Sequence, residues 1–514
     1  MPERVPQKLQ RIEHIVVLQL ENRSFDHMLG YLALEGNELP SHGELDTKVE
    51  GLAGATNSYR GTSYGAEILD EEAFDKQDLD PPHGDSEVKL QIAEGAMTGF
   101  LDVWAAKLHK TSALLPFVRS LKRAWAKLRR RAYPDPEKLK AVMGYVPREK
   151  LPVFDHLARH FCVCDRWFCS VAGPTMPNRF FSIAGEHDNE MNNLKLLVLK
   201  KGKFKSLFQE LRNEGMWRWY SSDPAILRAI DKKYRFDVDP EHDHFAYFDE
   251  CTEVQPRTFL SDVLKDETLP EVAWIDPNFA IKDQVKLVGE LVGPLLDGPG
   301  SNDDHPPSQV IEAQRLVNKI YEALGRSSYW ANTLFVVYYD EHGGFHDHVA
   351  PPEGMGPRVP ALVIGGRVKR GVSQQPFDHA SLIKTILLRF GKEGSLGRMP
   401  ARVAAADDLS SILRDDDEVV PFVPVANPGR AAISDKDLEP VMLEKCASLA
   451  NRTMEVLDEK LTDLQKLIVK HHALPLRTGR DKLSRLPTAT LTKLAVRAAR
   501  EKPAGDERLP ERRP

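Results

Sequence analysis

Two long apolar runs dominate the hydrophobic pattern of the chain. Ile15–Leu20 and Thr333–Tyr339 are rich in β-branched and aromatic residues. Runs of this kind predict strands buried on both faces, as in a parallel or mixed sheet covered by helices. Each run ends in adjacent ligand-type side chains, Glu21-Asn22 after the first and Asp340-Glu341 after the second. If both strands belong to one parallel sheet, these side chains converge at its carboxyl edge, where open α/β sheets bind ligands.

Shorter patterns fill in the rest of the chain. Further strand-like runs lie at 272–276 and 360–364, and helix-type spacing of apolar residues is found at 309–324 and 382–390. We therefore expect an α/β domain over residues 1–435, with helices flanking a central, mostly parallel sheet. Residues 436–514 begin as an amphipathic segment and end in a basic, proline-containing stretch, which predicts an appended C-terminal helical region with a flexible tail.

Composition restricts the classes of function. The 514 residues are 41% hydrophobic and 28% charged, and the net charge is −6. These values are ordinary for a globular protein and give no overall basic footprint for nucleic acid, so we expect no nucleic-acid partner. Three of the five cysteines, Cys162, Cys164 and Cys169, crowd into one segment. Without a second Cys/His pair at zinc-finger spacing, we interpret them as buried structural thiols in a reducing compartment.

The N-terminal segment bears on location. Residues 1–11 are polar and lead directly into the first strand, without the apolar core of a signal peptide. No run approaches the roughly 20 apolar residues that a membrane span requires. We therefore expect a soluble cytoplasmic protein.

The groups at the two strand ends suggest a metal centre. Glu21, Asn22, Asp340 and Glu341 would form an oxygen-rich ligand set, which suits a divalent cation such as Mg²⁺, Ca²⁺, Mn²⁺ or Zn²⁺. Any one of these acids alone could equally serve as a helix cap or a surface charge. Their joint position at strand ends favours the metal interpretation.

A threonine supplies a candidate nucleophile. Thr175 follows the sharp break Gly173-Pro174 and precedes an apolar helical segment, so its hydroxyl would lie among the free N–H groups of a helix N-terminus. Such a site favours anions such as phosphate, and a nearby metal would activate the hydroxyl for attack. An isolated threonine in this position is also a common N-cap, and both interpretations remain open.

Several histidines are available as phosphate donors, general acids or ligands: His83, His305, His342, His346 and His348. Each of them could instead have a purely structural role. In particular, the cluster from 342 to 348 could be a turn stabilised by local hydrogen bonds.

Four motifs, in order along residues 14–391, resemble those of the phosphoesterase family, which includes non-specific phospholipases C and a group of acid phosphatases. The segment from His14 to Asp26 is similar to its opening motif, and 173–179 to its nucleophile loop. The segments Asp304-His305-Pro306-Pro307 and Asp340 to Pro352 are similar to two further motifs. The resemblance implies an alkaline-phosphatase-like α/β fold and phosphoester hydrolysis through a phospho-enzyme.

The resemblance also assigns roles to individual residues. It implies that Glu21, Asn22, Asp340, Glu341 and Thr175 hold the metal, with Thr175 as the nucleophile. His83 and His305 would bind the phosphoryl oxygens or protonate the leaving group. His346 stands where the family pattern suggests an aromatic residue such as tyrosine, so its role is open.

Several functions compete. Phospholipase C-like cleavage of a phospholipid is our first hypothesis and a soluble acid phosphatase the second. A basic amphipathic stretch at 119–131 and the C-terminal region mildly favour peripheral contact with anionic lipid, although a solvated helix face is the first interpretation of the former. A sulfatase is disfavoured because its activation motif requires Cys or Ser where Thr175 stands. A non-catalytic phosphate-binding protein would not need the full ligand set.

Overall fold

The structure is a computed structural model. It describes residues 5–69, 80–111, 135–191, 193, 204–221, 225–234, 244–251, 257–265, 267–279, 301–306, 308–439 and 441–442. The described strands are, in chain order, β1 His14–Leu20, β2 Thr56–Tyr59, β3 Thr62–Gly65, β4 Glu67–Ile68, β5 Gly144–Tyr145, β6 Cys162–Cys164, β7 Trp167–Phe168, β8 Trp217–Tyr220, β9 Phe245–Ala246, β10 Glu250–Cys251, β11 Val272–Ile275, β12 Thr333–Tyr339, β13 Ala361–Ile364, β14 Gly371–Ser373, β15 Phe377–Asp378 and β16 Val441–Met442.

The described α-helices connect and cover these strands. They are α1 Phe25–Met28, α2 Asp85–Ile92, α3 Phe100–Thr111, α4 Pro136–Lys140, α5 Pro152–His160, α6 Thr175–Ala184, α7 Leu227–Ile230, α8 Phe259–Leu264, α9 Val310–Gly325, α10 His379–Phe390 and α11 Ala401–Ala405. Helix α6 packs against α10, and α5 packs against α9.

An eight-stranded sheet forms the centre of the fold, in the order β14-β6-β13-β12-β1-β11-β8-β9. Every neighbouring pair in it is parallel except the two that involve β13, which runs antiparallel to both β12 and β6. All seven residues of β12 and six of the seven in β1 are buried, so helices and loops cover both faces of the sheet. The predicted α/β fold with a mostly parallel sheet is confirmed.

The pairing of β1 with β12 positions the groups that follow them. The two strands lie side by side and in parallel, from His14 opposite Thr333 to Leu20 opposite Tyr339. The next residues, Glu21 and Asp340, therefore leave the sheet together at its carboxyl edge. Residues more than 300 positions apart in sequence become neighbours through this register.

A smaller apolar cluster forms a cap on the main body. Its buried residues are Tyr59, Tyr64, Met97, Phe100, Leu101, Trp104, Ala105, Leu139, Ala141, Val142, Met143 and Phe345. Phe345 comes from the turn after β12, whereas the others come from the segments around β2, β3, α3 and α4. The cap therefore packs directly against the loop that follows Asp340 and Glu341.

The three clustered cysteines are buried and free, as expected for structural thiols. At the C-terminal end, Leu438 is buried and β16 pairs with β10 of the body. The boundary predicted at 435/436 stays a prediction, and the basic stretch 119–131 and residues 443–514 lie outside the described residues. In the described part of the chain, no helix has the length and apolarity needed to cross a membrane.

Candidate active site at the carboxyl edge of the sheet

The predicted metal ligands lie together at the ends of β1 and β12. Glu21, Asn22, Asp340 and Glu341 all have 0% exposure. The backbone N–H groups of Asn22 and Glu341 both donate to Oδ1 of Asp340, at 3.0 and 2.7 Å. The Asp340 carboxylate thus ties the two strand ends to each other.

The turn at this edge has an unusual backbone. Asn22 has a φ of 60°, in the left-handed region that few non-glycine residues adopt and asparagine tolerates best. Gly343, with a φ of 64°, packs against it so closely that a Cβ would lie 2.0 Å from the Asn22 carbonyl oxygen. Only glycine fits there, and this contact holds Asn22 in its strained conformation.

Three carboxylate oxygens at the site lack hydrogen bonds. Glu21 Oε2, Asp340 Oδ2 and Glu341 Oε1 are buried and accept no hydrogen bond from any residue that the structure describes. A buried carboxylate oxygen without a partner is costly, and a cation would relieve that cost. With the Asn22 amide, these oxygens offer the hard donor set that divalent cations prefer, so the residues present fit the predicted metal.

The pKa values at the site follow from this crowding. Burial raises the pKa of Glu21 well above its usual value, although the charge of Arg179 opposes the rise. Burial likewise raises the pKa of Asp340 to about 7, again opposed by Arg179. Burial would also raise the pKa of Glu341, but the nearby His83 and His342 hold it below its usual value. Packed acids of this kind are a common feature of functional sites.

Arg179 is a component of the site that the sequence patterns did not identify. Its buried Nε lies 3.1 Å from Glu21 Oε1 and 3.6 Å from Asp340 Oδ2. The guanidinium therefore compensates part of the negative charge of the ligand set. Its position four residues after Thr175, on the same face of helix α6, was the available signal.

Thr175 is the first residue of α6, directly after Pro174. Its side chain is buried at 3% exposure, and its hydroxyl donates to Asn22 Oδ1 at 3.4 Å. The structure therefore brings the predicted nucleophile into contact with a predicted metal ligand. The side chain of Asn193 accepts a hydrogen bond from the Met176 N–H, so part of the helix N-terminus is already satisfied.

His83 lies beside the predicted metal ligands. Its Nδ1 donates to the Pro81 carbonyl oxygen at 2.7 Å. Since a carbonyl can only accept, this bond places the proton on Nδ1 and leaves Nε2 as the acceptor. Nε2 lies 3.3 Å from the Asn22 amide nitrogen and 3.8 Å from Glu341 Oε1.

His305 has the same arrangement. Its Nδ1 donates to the Pro306 carbonyl oxygen at 2.6 Å. The ring centroids of His305 and His83 are 6.2 Å apart, in an edge-to-face arrangement. Both predicted histidines therefore lie at the same edge with the same nitrogen held by the backbone.

The other three histidines are engaged elsewhere. His342 Nε2 donates to Gln91 Oε1 at 2.9 Å, and its Nδ1 lies 3.2 Å from Glu341 Oε2. His346 packs edge-on against Phe100, and burial lowers its pKa to about 4, so it is a neutral packing residue in the cap. His348 Nδ1 lies 2.7 Å from Asp26 Oδ2.

Two further groups of acids and histidines are close enough to share a cation, Asp80-His83-His305 and Asp26-Asp347-His348. Each already contacts a positive side chain. Lys107 lies 3.6 Å from Asp80 in the first group, and Arg358 pairs with Asp26 and Asp347 in the second. We therefore interpret both as ion-pair networks that support the edge of the sheet.

The family model and the relatives that match this chain agree with each other. The Phosphoesterase family model matches residues 12–392. The chain is 29% identical over 409 residues to non-specific phospholipase C3 of Arabidopsis thaliana, covering 73% of this chain and 69% of that protein. It is 26% identical over 440 residues to phospholipase C A of Mycobacterium tuberculosis, covering 75% and 74%.

A structural match is more distant. A protein in the alkaline phosphatase superfamily from Vibrio parahaemolyticus aligns with a TM-score of 0.32 and 13% identity, over 52% of this chain and 65% of that one. The α/β fold is defined by the eight-stranded sheet and its covering helices. Because the family model spans β1, Thr175, His305 and the turn after β12, the chain belongs to the Phosphoesterase family and is a hydrolase that acts on phosphoester bonds.

Proposed function

We propose that this protein is a metal-dependent, phospholipase C-like hydrolase that cleaves a phosphodiester through a phospho-threonine at Thr175. The observation that carries the proposal is the contact between the Thr175 hydroxyl and Asn22, beside three buried carboxylate oxygens without hydrogen bonds. A nucleophile, a ligand set and two histidines at one edge are the components that phosphoryl transfer requires.

Glu21, Asn22, Asp340, Glu341 and Thr175 would hold the cation. When bound, a divalent cation supplies positive charge that favours the ionised threonine and neutralises the phosphoryl oxygens. Arg179 and the imidazoles of His83 and His305 add fixed positive or hydrogen-bonding groups to the same edge. Asn22, as a neutral ligand, keeps the site from becoming too negative for an anionic substrate.

The reaction proceeds as two displacements at phosphorus. In the first, the bond between Thr175 Oγ and phosphorus forms as the bond to the alcohol oxygen breaks, and a histidine donates a proton to that oxygen. In the second, a water oxygen bonds to phosphorus as the bond to Oγ breaks, and the histidine accepts a proton from the water. In the first step Thr175 passes its proton to the unprotonated nitrogen of that histidine, which thereby gains the proton it donates to the alcohol oxygen; in the second the histidine returns the proton taken from water to Thr175 Oγ. The products are an alcohol and a phosphomonoester.

The names of the relatives support a phospholipid substrate. Proteins named phospholipase C from a plant and a bacterium both align over about three quarters of the chain, at 73% and 75%. A phosphatase that acts on phosphomonoesters is the second candidate, because the proposed roles of the site residues concern the phosphoryl group and the metal, which a monoester and a diester share.

The first test measures the metal content of the protein and compares two substrates. Purified protein is assayed for metal by elemental analysis and for hydrolysis of phosphatidylcholine in mixed micelles and of p-nitrophenyl phosphate. We expect one divalent cation per chain, loss of activity with chelator, and turnover of the phospholipid. Turnover of the aryl monoester alone would favour the phosphatase.

Thr175→Val tests the nucleophile, since it removes the hydroxyl and keeps the shape of the side chain. We expect kcat to fall by at least about 1,000-fold. Thr385→Val is the matched control, a buried threonine on α10 outside the site. Undiminished turnover by Thr175→Val would refute the phospho-threonine mechanism.

A further inference from the structure

The residue before His305 has a strained backbone. Asp304 is fully buried and has a φ of 70°, one of the few non-glycine residues of the described chain in the left-handed region. Backbone strain of this kind persists only where surrounding contacts enforce it, and it concentrates at functional sites. The contacts around Asp304 must therefore hold its backbone in this conformation.

Two side chains fix this conformation. The Tyr339 hydroxyl donates to Asp304 Oδ2 at 2.5 Å, and Arg23 Nε donates to the Asp304 carbonyl oxygen at 2.9 Å. A second Arg23 nitrogen lies 3.5 Å from Asp304 Oδ1. Arg23 is 1% exposed and Tyr339 0%, so water does not compete for these contacts.

These two residues come from the strands that carry the metal ligands. Arg23 follows Glu21 and Asn22 after β1, and Tyr339 is the last residue of β12, directly before Asp340. The Glu21 N–H also donates to the Asp303 carbonyl oxygen at 2.8 Å, and the His305 N–H donates to Asp303 Oδ1 at 3.0 Å. The loop that carries His305 is thus fastened to both strand ends.

We propose that Arg23, Asp304 and Tyr339 form a positioning clamp that sets the imidazole of His305 relative to the metal ligands. The proposal rests on the function proposed above, in which His305 contacts the phosphoryl group or the leaving oxygen. The clamp residues do not contact the substrate. They act by holding the left-handed turn at Asp304, which directs the following side chain into the site.

A shift of about 1 Å in a catalytic group costs up to about 100-fold in rate, which gives the scale of the effect. Tyr339→Phe removes one oxygen and leaves the ring in place. We expect kcat on p-nitrophenyl phosphorylcholine to fall about tenfold, with KM changed less than about twofold.

A double-mutant cycle distinguishes positioning from general destabilisation. In a His305→Ala background the clamp has nothing to position, so we expect Tyr339→Phe to change kcat less than about twofold there. Tyr338→Phe is the matched control, because Tyr338 is the adjacent buried tyrosine on the opposite face of the strand. The thermal midpoint of every variant is measured in parallel.

An equal loss in both backgrounds, or no loss in the unchanged background, would overturn the clamp while leaving the proposed function intact. If His305→Ala alone turned over as fast as the unchanged protein, the role of His305 and the clamp would both fail. Should Tyr339→Phe not fold, Arg23→Lys keeps the charge, removes the Nε donor and enters the same cycle.

Discussion

At the scale of single residues, a buried arginine forms ion pairs with three buried acids. The Arg358 guanidinium is fully buried and lies 3.0 Å from Asp26, 3.0 Å from Asp165 and 3.1 Å from Asp347. Burial already raises the pKa of Asp165 to about 6, even though Arg358 opposes the rise. Arg358 is therefore a shared partner of all three acids.

We expect Arg358→Gln to destabilise the fold by about 3–5 kcal/mol, because it leaves buried carboxylates without their partner. Urea unfolding followed by tryptophan fluorescence measures the change. The control is Arg315→Gln, whose ion pair with Asp437 is at the surface and should contribute less than about 1 kcal/mol. Similar losses of unfolding free energy in the two variants would show that the buried cluster stabilises the fold no more than a surface ion pair does.

The sequence indicated some site residues and not others, for a physical reason. Glu21, Asn22, Asp340 and Glu341 each follow an apolar run, so a local pattern predicts where they lie. The roles of Arg179 and Asp304 depend on a long-range ion pair and on a backbone angle. Neither role follows from hydrophobic periodicity: the spacing of four residues from Thr175 places Arg179 on the same helix face, but its ion pairs and the backbone angle of Asp304 are visible only in the folded chain.

At the scale of elements, hydrophobic periodicity predicted where helices and strands lie better than it predicted the direction in which each strand runs. The helices expected at 309–324 and 382–390 are observed as α9 and α10, with three of their four ends shifted by one to three residues. The apolar run at 360–364 is indeed a strand, β13, but it runs antiparallel to β12. A short apolar run has the same pattern in either direction, so its orientation depends on the connection that precedes it.

Helix α5 carries a pH-sensitive contact. His156 Nε2 donates to the Val423 carbonyl oxygen at 2.9 Å, and its ring stacks on His160 at 4.1 Å. Burial, and then the neighbouring His160, lower the pKa of His156 from 6.5 to about 4. Since the fold disfavours the protonated ring, the unfolded chain binds more protons between these two values, and stability falls as pH falls from 6.5 to 4.

We expect His156 to lower the thermal midpoint across this interval, with a contribution of up to about 3 kcal/mol. His156→Gln keeps an N–H donor for Val423 and does not titrate, so the decrease should be smaller in that variant. His42→Gln is the control, because His42 also donates to a backbone carbonyl, that of Arg159. A pH slope that is identical in His156→Gln and the unchanged protein would contradict the assignment.

At the scale of the whole molecule, the site is assembled from segments that span most of the chain. The proposed ligand set follows β1 and β12, the proposed nucleophile begins α6, and the imidazoles come from the loops around His83 and His305. The Arg23 and Tyr339 contacts hold one of those loops against the strand ends. These contacts connect the loop of the candidate site directly to the buried sheet.

The basic C-terminal stretch, residues 477–514, lies outside the described residues, and we propose that it contacts anionic lipid. Because β16 ends at Met442 and pairs with β10, a chain that stops after Met442 retains every element described here. We expect this truncated chain to hydrolyse p-nitrophenyl phosphorylcholine at an unchanged rate but to co-sediment less with phosphatidylcholine–phosphatidylserine vesicles. The cause would be loss of the basic residues at 477–514, whose attraction to the anionic vesicle surface weakens with salt.

Vesicles of phosphatidylcholine alone are the control, since they lack the anionic charge. Undiminished co-sedimentation of the truncated chain would rule out the tail and direct attention to the second basic stretch, residues 119–131.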